Sequence, residues 1–163
     1  MLQSKRDHST TAEWRRLFGQ SIATWFGCGR SSVAPGTVGS LAAVPIHVLL
    51  RRVAPGWYWT VWSGLALLGI ACSQQYATSA GRDDPQEVVV DEVVGALLAM
   101  GLVRGRSAAA ALLSLLLFRV LDIAKPGPID RVQRLGPPGF AIMADDLLAG
   151  ATAGWVAALL TRR

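Results

Sequence analysis

Three sets of carboxylates interrupt the apolar second half of this sequence: Asp91-Glu92, Asp122 and Asp145-Asp146. Acidic groups are costly in apolar surroundings, so their presence there indicates a functional site. Carboxylate oxygens are the ligands that Mg²⁺ prefers, and a bound cation would also offset the repulsion among neighbouring carboxylates. We therefore predict a Mg²⁺ site whose ligands are Asp91, Glu92, Asp122, Asp145 and Asp146.

Helix geometry predicts that the three sets meet at one end of the fold. Asp91 lies roughly 20 Å before a turn at Arg104, and Asp122 lies about 24 Å back in the other direction, at about 1.5 Å per helical residue. Both carboxylates are therefore expected at the same end of the helix bundle. The polar loop that follows stays on that side, where Asp145-Asp146 is expected to begin the last helix.

Basic residues beside these carboxylates suit the chemistry of phosphate. Arg119 and Lys125 would neutralise phosphate oxygens, and a guanidinium can do so with two parallel hydrogen bonds. The Gly-rich segment 27–40 (GCGRSSVAPGTVGS) falls on the same side, and a helix start at Thr37 or Ser40 would leave N–H groups free for phosphate. A helix-packing turn is the ordinary alternative for that segment. The predicted phosphate-binding residues are Arg30, Thr37, Arg119 and Lys125.

Water activated by the metal is the predicted nucleophile, because the usual protein nucleophiles are missing. Cys28 is not followed by Arg at the spacing of a cysteine phosphatase, and the sequence holds no Asp-x-Asp motif. His8 lies in the polar N-terminal segment, and His47 lies inside an apolar run, where a structural role is the simpler interpretation.

Each acidic residue taken alone also has an ordinary structural explanation. Asp91 or Asp145 could cap a helix, and Asp122 could form an ion pair with Arg119 or Lys125 at helical spacing. The full set is harder to explain in this way than any one member of it.

Turn signals separate the apolar runs. Breaks fall at Pro55-Gly56, Arg104-Gly105-Arg106 and Lys125-Pro126-Gly127-Pro128, and the segment 84–87 (DPQE) predicts a helix start with a capping Asp. The runs between them are Ser40–Leu50, Trp57–Cys72, Val93–Val103, Ser107–Leu121 and Leu147–Leu160. Several are shorter than the roughly 20 residues of a membrane-spanning helix.

Composition indicates a membrane protein. Apolar residues make up 52% of the chain and charged residues only 17%, against about a quarter in ordinary soluble domains. Trp14 to Phe26 shows helical spacing of large apolar residues, typical of an interfacial amphipathic helix or of a core-facing one. We predict an all-α, compact, membrane-embedded bundle of about five apolar helices after that N-terminal helix. Residues 1–13 are predicted to be a flexible polar tail, and residues 14–163 a single domain.

The net charge of +5 does not indicate nucleic-acid binding, because the basic residues are scattered and form no stripe with aromatic side chains. Six of them, including Arg104 and Arg162, fall on the side away from the acidic residues, and the other ten fall on or near the acidic side. The positive-inside rule then places the acidic site in the cytoplasm.

In its motifs the sequence resembles the phosphatidylglycerophosphatase A family, which consists of bacterial enzymes of phospholipid synthesis. Four blocks carry the resemblance: GCGRSSVAPGTVGS from Gly27, DPQEVVVDEVVG from Asp84, FRVLDIAKPGPID from Phe118 and GFAIMADDLLAG from Gly139. The Asp-x-x-Lys-Pro-x-Pro pattern and the final Asp-Asp are its most specific parts.

The resemblance implies an all-helical enzyme that hydrolyses phosphatidylglycerophosphate, a phospholipid, to phosphatidylglycerol and inorganic phosphate with Mg²⁺ at the bacterial inner membrane. It also implies that the active site contains Asp91, Glu92, Asp122, Lys125, Asp145 and Asp146. Some relatives are soluble and oligomeric, which leaves open the number of membrane passes and allows a homo-oligomer.

Two alternatives stay open. A small cation-binding membrane protein or transporter subunit without hydrolase activity would place its carboxylates at different depths along a path. A soluble helical oligomer would bury the apolar runs between subunits.

Overall fold

All described residues that form regular structure are helical in this computed structural model. The structure describes the backbone of residues 2–162 and the side chains of residues 13–162, so Met1 and Arg163 lie outside it. The seven α-helices are α1 (Leu2–Ala23), α2 (Pro35–Leu50), α3 (Pro55–Ala80), α4 (Val90–Leu102), α5 (Ala108–Ala124), α6 (Pro128–Val132) and α7 (Pro138–Leu160). A single 3-10 turn, Cys28–Arg30, joins α1 to α2. The predicted all-α class is confirmed.

Helix breaks fall where proline and glycine predict them. Pro55 occupies the first turn of α3, where its missing N–H costs nothing. Ser107 caps α5 by accepting a hydrogen bond from the Ala110 N–H. Lys125 ends α5 in the left-handed conformation, with φ 41° and ψ 57°.

The predicted helix start at residues 84–87 is wrong, because α4 begins only at Val90. Glu87 does not cap a helix; its carboxylate accepts hydrogen bonds from Arg82 at 2.9 and 2.8 Å. The Val89 N–H donates to the carbonyl of Ala23 at 2.9 Å, which fixes this loop against the end of α1. Contacts distant in sequence therefore hold residues 84–87 as a loop.

The last helix also starts elsewhere than predicted. It begins at Pro138 rather than at Asp145, with proline in its first turn. The Gly139 N–H donates to Gln74 Oε1 at 2.9 Å, so α3 supplies a partner for one of the free amides at this end. Asp145 and Asp146 consequently lie about two turns inside α7, where both are buried.

The boundary predicted after residue 13 does not coincide with a helix end, because α1 runs from Leu2. The flexibility of the segment 1–13 stays a prediction, since its side chains before Glu13 lie outside the described residues. Trp14 and Phe18 are 71% and 58% exposed, whereas Ile22 is buried. This exposure favours the interfacial over the core-facing interpretation of the N-terminal helix.

Only α7, within the described part of the chain, is long and apolar enough to cross a membrane, and 56% of its apolar window is buried inside the protein. A membrane-embedded bundle of about five apolar helices was predicted, and this membrane-embedded arrangement is not confirmed. Much of the apolar sequence serves the core instead. Other large apolar side chains are exposed on the outside of the helices, among them Leu67, Leu112, Leu116 and Trp155.

Helices α4 and α7 pack with their backbones close together along a line of small residues, which we call the glycine seam: Gly95 and Ala99 on α4, and Gly150 and Gly154 on α7. A Cβ added to Gly150 would overlap the carbonyl oxygen of Gly95. A Cβ added to Gly95 would lie 2.8 Å from the carbonyl oxygen of Asp146. The absence of side chains at the glycines sets the distance between the two helices that carry four of the five carboxylates predicted for the site: Asp91 and Glu92 on α4, and Asp145 and Asp146 on α7.

A buried hydrogen-bond network fixes α2 and α3 against the far end of α4. The Tyr58 hydroxyl donates to the carbonyl of Leu97 at 2.7 Å and lies 3.1 Å from Nδ1 of His47. Since the hydroxyl proton is used on Leu97, His47 donates from Nδ1 to the Tyr58 oxygen. His47 thus has the structural role predicted for it.

We expect Tyr58→Phe to lower the free energy of unfolding by about 1–3 kcal/mol, because the buried Nδ1–H of His47 loses its acceptor. Thermal unfolding would shift down by roughly 2–4 °C for each kcal/mol in a chain of this size. Circular dichroism measures the shift. An unaltered melting temperature would contradict the assigned hydrogen bonds.

Candidate active site

A cavity of about 780 Å³ opens where α2 and α4 begin and α5 ends, beside the second turn of α7. The structure brings the three acidic sets together in its wall, together with both basic residues predicted from α5. The charged residues predicted for the site that line it are Asp91, Glu92, Arg119, Asp122, Lys125, Asp145 and Asp146.

Asp91, Glu92 and Asp146 form the inner cluster of the cavity. One oxygen of each carboxylate lies within 4.8 Å of an oxygen of the other two. Asp91 Oδ1, Glu92 Oε2 and Asp146 Oδ2 are buried and have no hydrogen-bond partner among the described residues. Buried polar atoms without partners are rare and costly, and here all three are oxygens. This donor set fits a hard divalent cation such as Mg²⁺.

The electrostatics of the inner cluster point the same way. Burial raises the pKa of Asp91 well above its usual value, and the charges of Glu92 and Asp146 raise it further. Burial also raises the pKa of Glu92, partly opposed by a hydrogen bond from Asp91 and by the Arg119 charge. The cluster therefore resists full ionisation unless a positive charge is added. Both residues stand in the first turn of α4, whose positive end gives partial compensation.

Asp122 and Asp145 differ from the inner cluster because each has a basic partner. Arg119 Nη1 lies 2.5 Å from Asp122 Oδ2, and Lys125 Nζ lies 2.5 Å from Asp145 Oδ2. The ordinary ion-pair explanation thus holds for Asp122, although the pair lines the cavity. From the sequence, all five carboxylates were predicted to be equivalent ligands. Among the described residues, three of them have a buried oxygen without a hydrogen-bond partner, and the other two form ion pairs. Whether the paired two also bind metal stays a prediction.

Lys125 enters the cavity because the chain turns sharply at the end of α5. Burial lowers its pKa, but the hydrogen bond and charge of Asp145 outweigh this, so the pKa of the amine is raised overall. The amine therefore stays charged. It also donates to Gln133 Oε1 at 3.0 Å. Sequence reasoning missed Gln133, and no spacing or motif singles it out from the polar loop around it.

The first turn of α2 forms another part of the wall, through Ala34, Pro35 and Gly36. Ala34 has the left-handed conformation, with φ 45°. A Cβ added to Gly36 would overlap Glu92 Oε1 and lie 3.2 Å from Arg119 Nη2. The glycine therefore leaves room for the carboxylate and the guanidinium at the helix N-terminus.

The structure does not place Arg30 and Thr37 in the cavity wall. Both are exposed, and neither is among the residues that line the cavity. Helix α2 starts earlier than expected, so the Thr37 N–H already donates to the carbonyl of Ala34 at 2.9 Å. Asp83, Asp84 and Gln86 line the outer wall instead, and sequence reasoning did not include them in the site.

This geometry defines a class of helical protein with a buried oxygen-donor cluster beside an arginine and a lysine, suited to a cation and a phosphate group. The profile of the phosphatidylglycerophosphatase A (PgpA) family matches residues 21–161. The chain belongs to this family, which confirms the resemblance found in the sequence. It is accordingly an enzyme, a phosphatase that acts on a phosphomonoester.

Curated relatives support this assignment. The chain is 33% identical over 133 residues to phosphatidylglycerophosphatase A of Escherichia coli, covering 79% of this chain and 75% of the relative. It is 35% identical over 129 residues to the Haemophilus influenzae protein of the same name, covering 78% and 79%. It is 34% identical over 149 residues to a candidate phosphatidylinositol-3-phosphatase of Bacteroides thetaiotaomicron, covering 83% and 92%. No solved structure matches the chain.

Proposed function

We propose that this protein hydrolyses phosphatidylglycerophosphate to phosphatidylglycerol and inorganic phosphate, with Mg²⁺, at the cytoplasmic face of the bacterial inner membrane. The observation that carries the proposal is the inner cluster: Asp91, Glu92 and Asp146 have unpartnered, buried oxygens in a cavity that also contains Arg119 and Lys125. Family membership and the names of the relatives support the substrate.

The inner cluster would hold the cation. When bound, Mg²⁺ neutralises phosphate oxygens and lowers the pKa of water, so that a hydroxide-like nucleophile is available near neutral pH. The three carboxylates supply only oxygen ligands. Mg²⁺ usually keeps several water ligands and also binds substrate phosphate oxygens, and the cavity leaves space for both.

The basic residues would bind and orient the phosphate group. Arg119, paired with Asp122, presents a fixed guanidinium, and Lys125, paired with Asp145, presents a fixed amine. Both can donate to the phosphate oxygens on which negative charge increases during displacement. The bond from water oxygen to phosphorus forms as the bond from phosphorus to the glycerol oxygen breaks, and the leaving oxygen takes up a proton.

The surroundings of the cavity support a lipid substrate. Val33 and Ile123 are 74% and 72% exposed, and Leu135 is 58% exposed; each is a sequence neighbour of a residue that lines the cavity. Exposed arginines, Arg30 and Arg134, lie in the same segments. Apolar side chains with basic neighbours suit the interface of a membrane with anionic lipids, and the positive-inside rule supports the cytoplasmic side.

Phosphate release from a panel of substrates tests the proposal. The panel contains phosphatidylglycerophosphate and phosphatidylinositol 3-phosphate in mixed micelles, and glycerol 3-phosphate in solution, each with Mg²⁺ or with EDTA. We expect release from phosphatidylglycerophosphate with Mg²⁺ only, and little from the soluble monoester. Preference for the inositol lipid would overturn the substrate assignment, and equal release in EDTA would overturn the role of the metal.

The alternative of a cation-binding transporter subunit has less support. It predicts carboxylates at different depths, whereas those singled out here line one cavity at one end of α4. Cation flux into liposomes, with no phosphate release, would favour it instead. Assembly into a homo-oligomer stays a prediction that cross-linking in the membrane would test.

A further inference from the structure

A chain of side-chain hydrogen bonds runs from buried Asp145 outward to the protein surface. Lys125 Nζ donates to Asp145 Oδ2 and, at 3.0 Å, to Gln133 Oε1. Gln133 Nε2 donates in turn to Asp130 Oδ1 at 2.7 Å. Asp130 lies in α6, and Gln133 follows that helix directly. The polar loop after α5 therefore folds back to contact Lys125, the residue at which α5 ends.

The orientation of the Gln133 amide is fixed at both ends. An ammonium group has only donors and a carboxylate only acceptors, so Oε1 must face Lys125 and Nε2 must face Asp130. Arg134 Nη2 donates to the other oxygen of Asp130 at 2.8 Å, which steadies that carboxylate. Asp130 thereby orients Gln133, and Gln133 orients Lys125.

The Lys125 amine has three N–H donors, and the described contacts use two of them. Lys125 also lines the cavity, with its side chain about a third exposed. With one N–H held by Asp145 and another by Gln133, the direction of the third is determined. Without Gln133 the ammonium could rotate about its contact with Asp145.

We propose that Gln133 and Asp130 are positioning residues that direct the third N–H of Lys125 toward the phosphate group of the substrate. The inference rests on the proposed function, in which Lys125 donates to phosphate oxygens. Gln133 and Asp130 act through Lys125, since their described side-chain hydrogen bonds are to protein groups. Misplacement of a catalytic contact by about 1 Å can cost 100-fold in rate, so a positioning effect is large enough to measure.

The first test is the Gln133→Ala variant, alone and combined with Lys125→Ala. We expect Gln133→Ala to lower kcat/KM by about 10- to 100-fold, as substitutions of supporting residues commonly do. In the Lys125→Ala background the same substitution should cost less than about twofold, because the residue it positions is gone. Losses that multiply in the double variant would overturn the proposal, as would normal kcat/KM in Gln133→Ala.

The second test reverses the polarity of the Gln133–Asp130 contact. Gln133→Glu keeps an acceptor for Lys125 but sets two carboxylates against each other, and we expect activity to fall. Adding Asp130→Asn restores a donor–acceptor pair, and we expect kcat/KM to recover at least about tenfold, which is within the loss assigned to the contact. Failure to recover, with the double variant folded by circular dichroism, would contradict a positioning role.

Matched controls separate positioning from folding and from the proposed function. Gln75→Ala removes another half-buried glutamine, one that donates to the Arg15 carbonyl on α1 and lies outside the cavity wall; it should leave kcat/KM within about twofold. Calorimetric binding of inorganic phosphate with Mg²⁺ does not require turnover. Gln133→Ala and Lys125→Ala should weaken it alike, and the double variant no further. Unchanged phosphate binding in Gln133→Ala would refute the inference even if the lipid substrate proved to be different.

Discussion

We expect Asp146→Asn to reduce Mg²⁺-dependent phosphate release by at least about 100-fold, because supporting residues alone commonly contribute 10- to 100-fold and Asp146 is assigned as a ligand. We expect the same variant in EDTA to unfold at a higher temperature than the wild type. Asp146 is 2% exposed and has an unpartnered oxygen close to Asp91 and Glu92, so removing its charge relieves repulsion in a desolvated site.

A substitution that lowers activity but raises the melting temperature in EDTA distinguishes a metal site from a structural ion network. Mg²⁺ should raise the melting temperature of the wild type by mass action and that of Asp146→Asn much less. About 1 kcal/mol of relieved repulsion would correspond to roughly 2–4 °C in a chain of this size. Differential scanning fluorimetry with and without Mg²⁺ measures both effects.

Glu92→Gln should behave like Asp146→Asn, whereas Glu13→Gln, an exposed carboxylate on α1, should change neither activity nor the response to Mg²⁺. If a variant of the inner cluster kept wild-type turnover, the substituted residue would not be a ligand of the metal. A variant that lost stability in EDTA would instead indicate a structural role for the carboxylate.

Gly150→Ala should lower both stability and activity. The added methyl group would overlap the carbonyl oxygen of Gly95 on α4, and backbone cannot move aside as a flexible side chain can. Overpacking of this kind costs about 1–3 kcal/mol. It would also push α4 away from α7 and so separate Asp91 and Glu92 from Asp146, lowering affinity for Mg²⁺.

Gly64→Ala is the matched control, because it places the same methyl group on α3 with no atom within 4 Å. It should leave activity unchanged and stabilise the helix by up to about 1 kcal/mol, as alanine is the better helix former. Chemical denaturation and Mg²⁺ titration compare the two variants. Equal behaviour of Gly150→Ala and Gly64→Ala would mean that α4 and α7 tolerate a wider spacing than the glycine seam implies.

The meeting of the acidic sets could be predicted from sequence because it depends on distances along helices and on clear turn signals. Asp91 and Asp122 lie at similar distances from the turn at Arg104, so two antiparallel helices joined at that turn bring both residues to the same end. The division of the carboxylates into unpartnered and paired ones could not be predicted, because it depends on which side chains point toward Arg119 and Lys125.

Helix starts were missed where tertiary contacts override local signals. The pattern at residues 84–87 has good capping chemistry, but Arg82 binds Glu87 and the backbone of Ala23 binds Val89. The start of α7 at Pro138 is supported by Gln74, a residue 64 positions earlier. Run lengths could not decide the number of membrane spans, since an apolar face buried inside the protein reads the same in sequence as one in lipid.

The cavity has two walls of very different construction, and this has a consequence for how substrate range can change over evolution. The wall that holds the inner cluster is fixed by backbone contact along the glycine seam, where a methyl group added to a glycine would overlap atoms of the facing helix. Another part of the wall consists of loop residues around Asp84 and Gly136, held by contacts such as the Arg82–Glu87 hydrogen bonds rather than by packing between two helices. We therefore expect substitutions in those loops to change which phosphate esters enter the cavity while leaving the inner cluster in place.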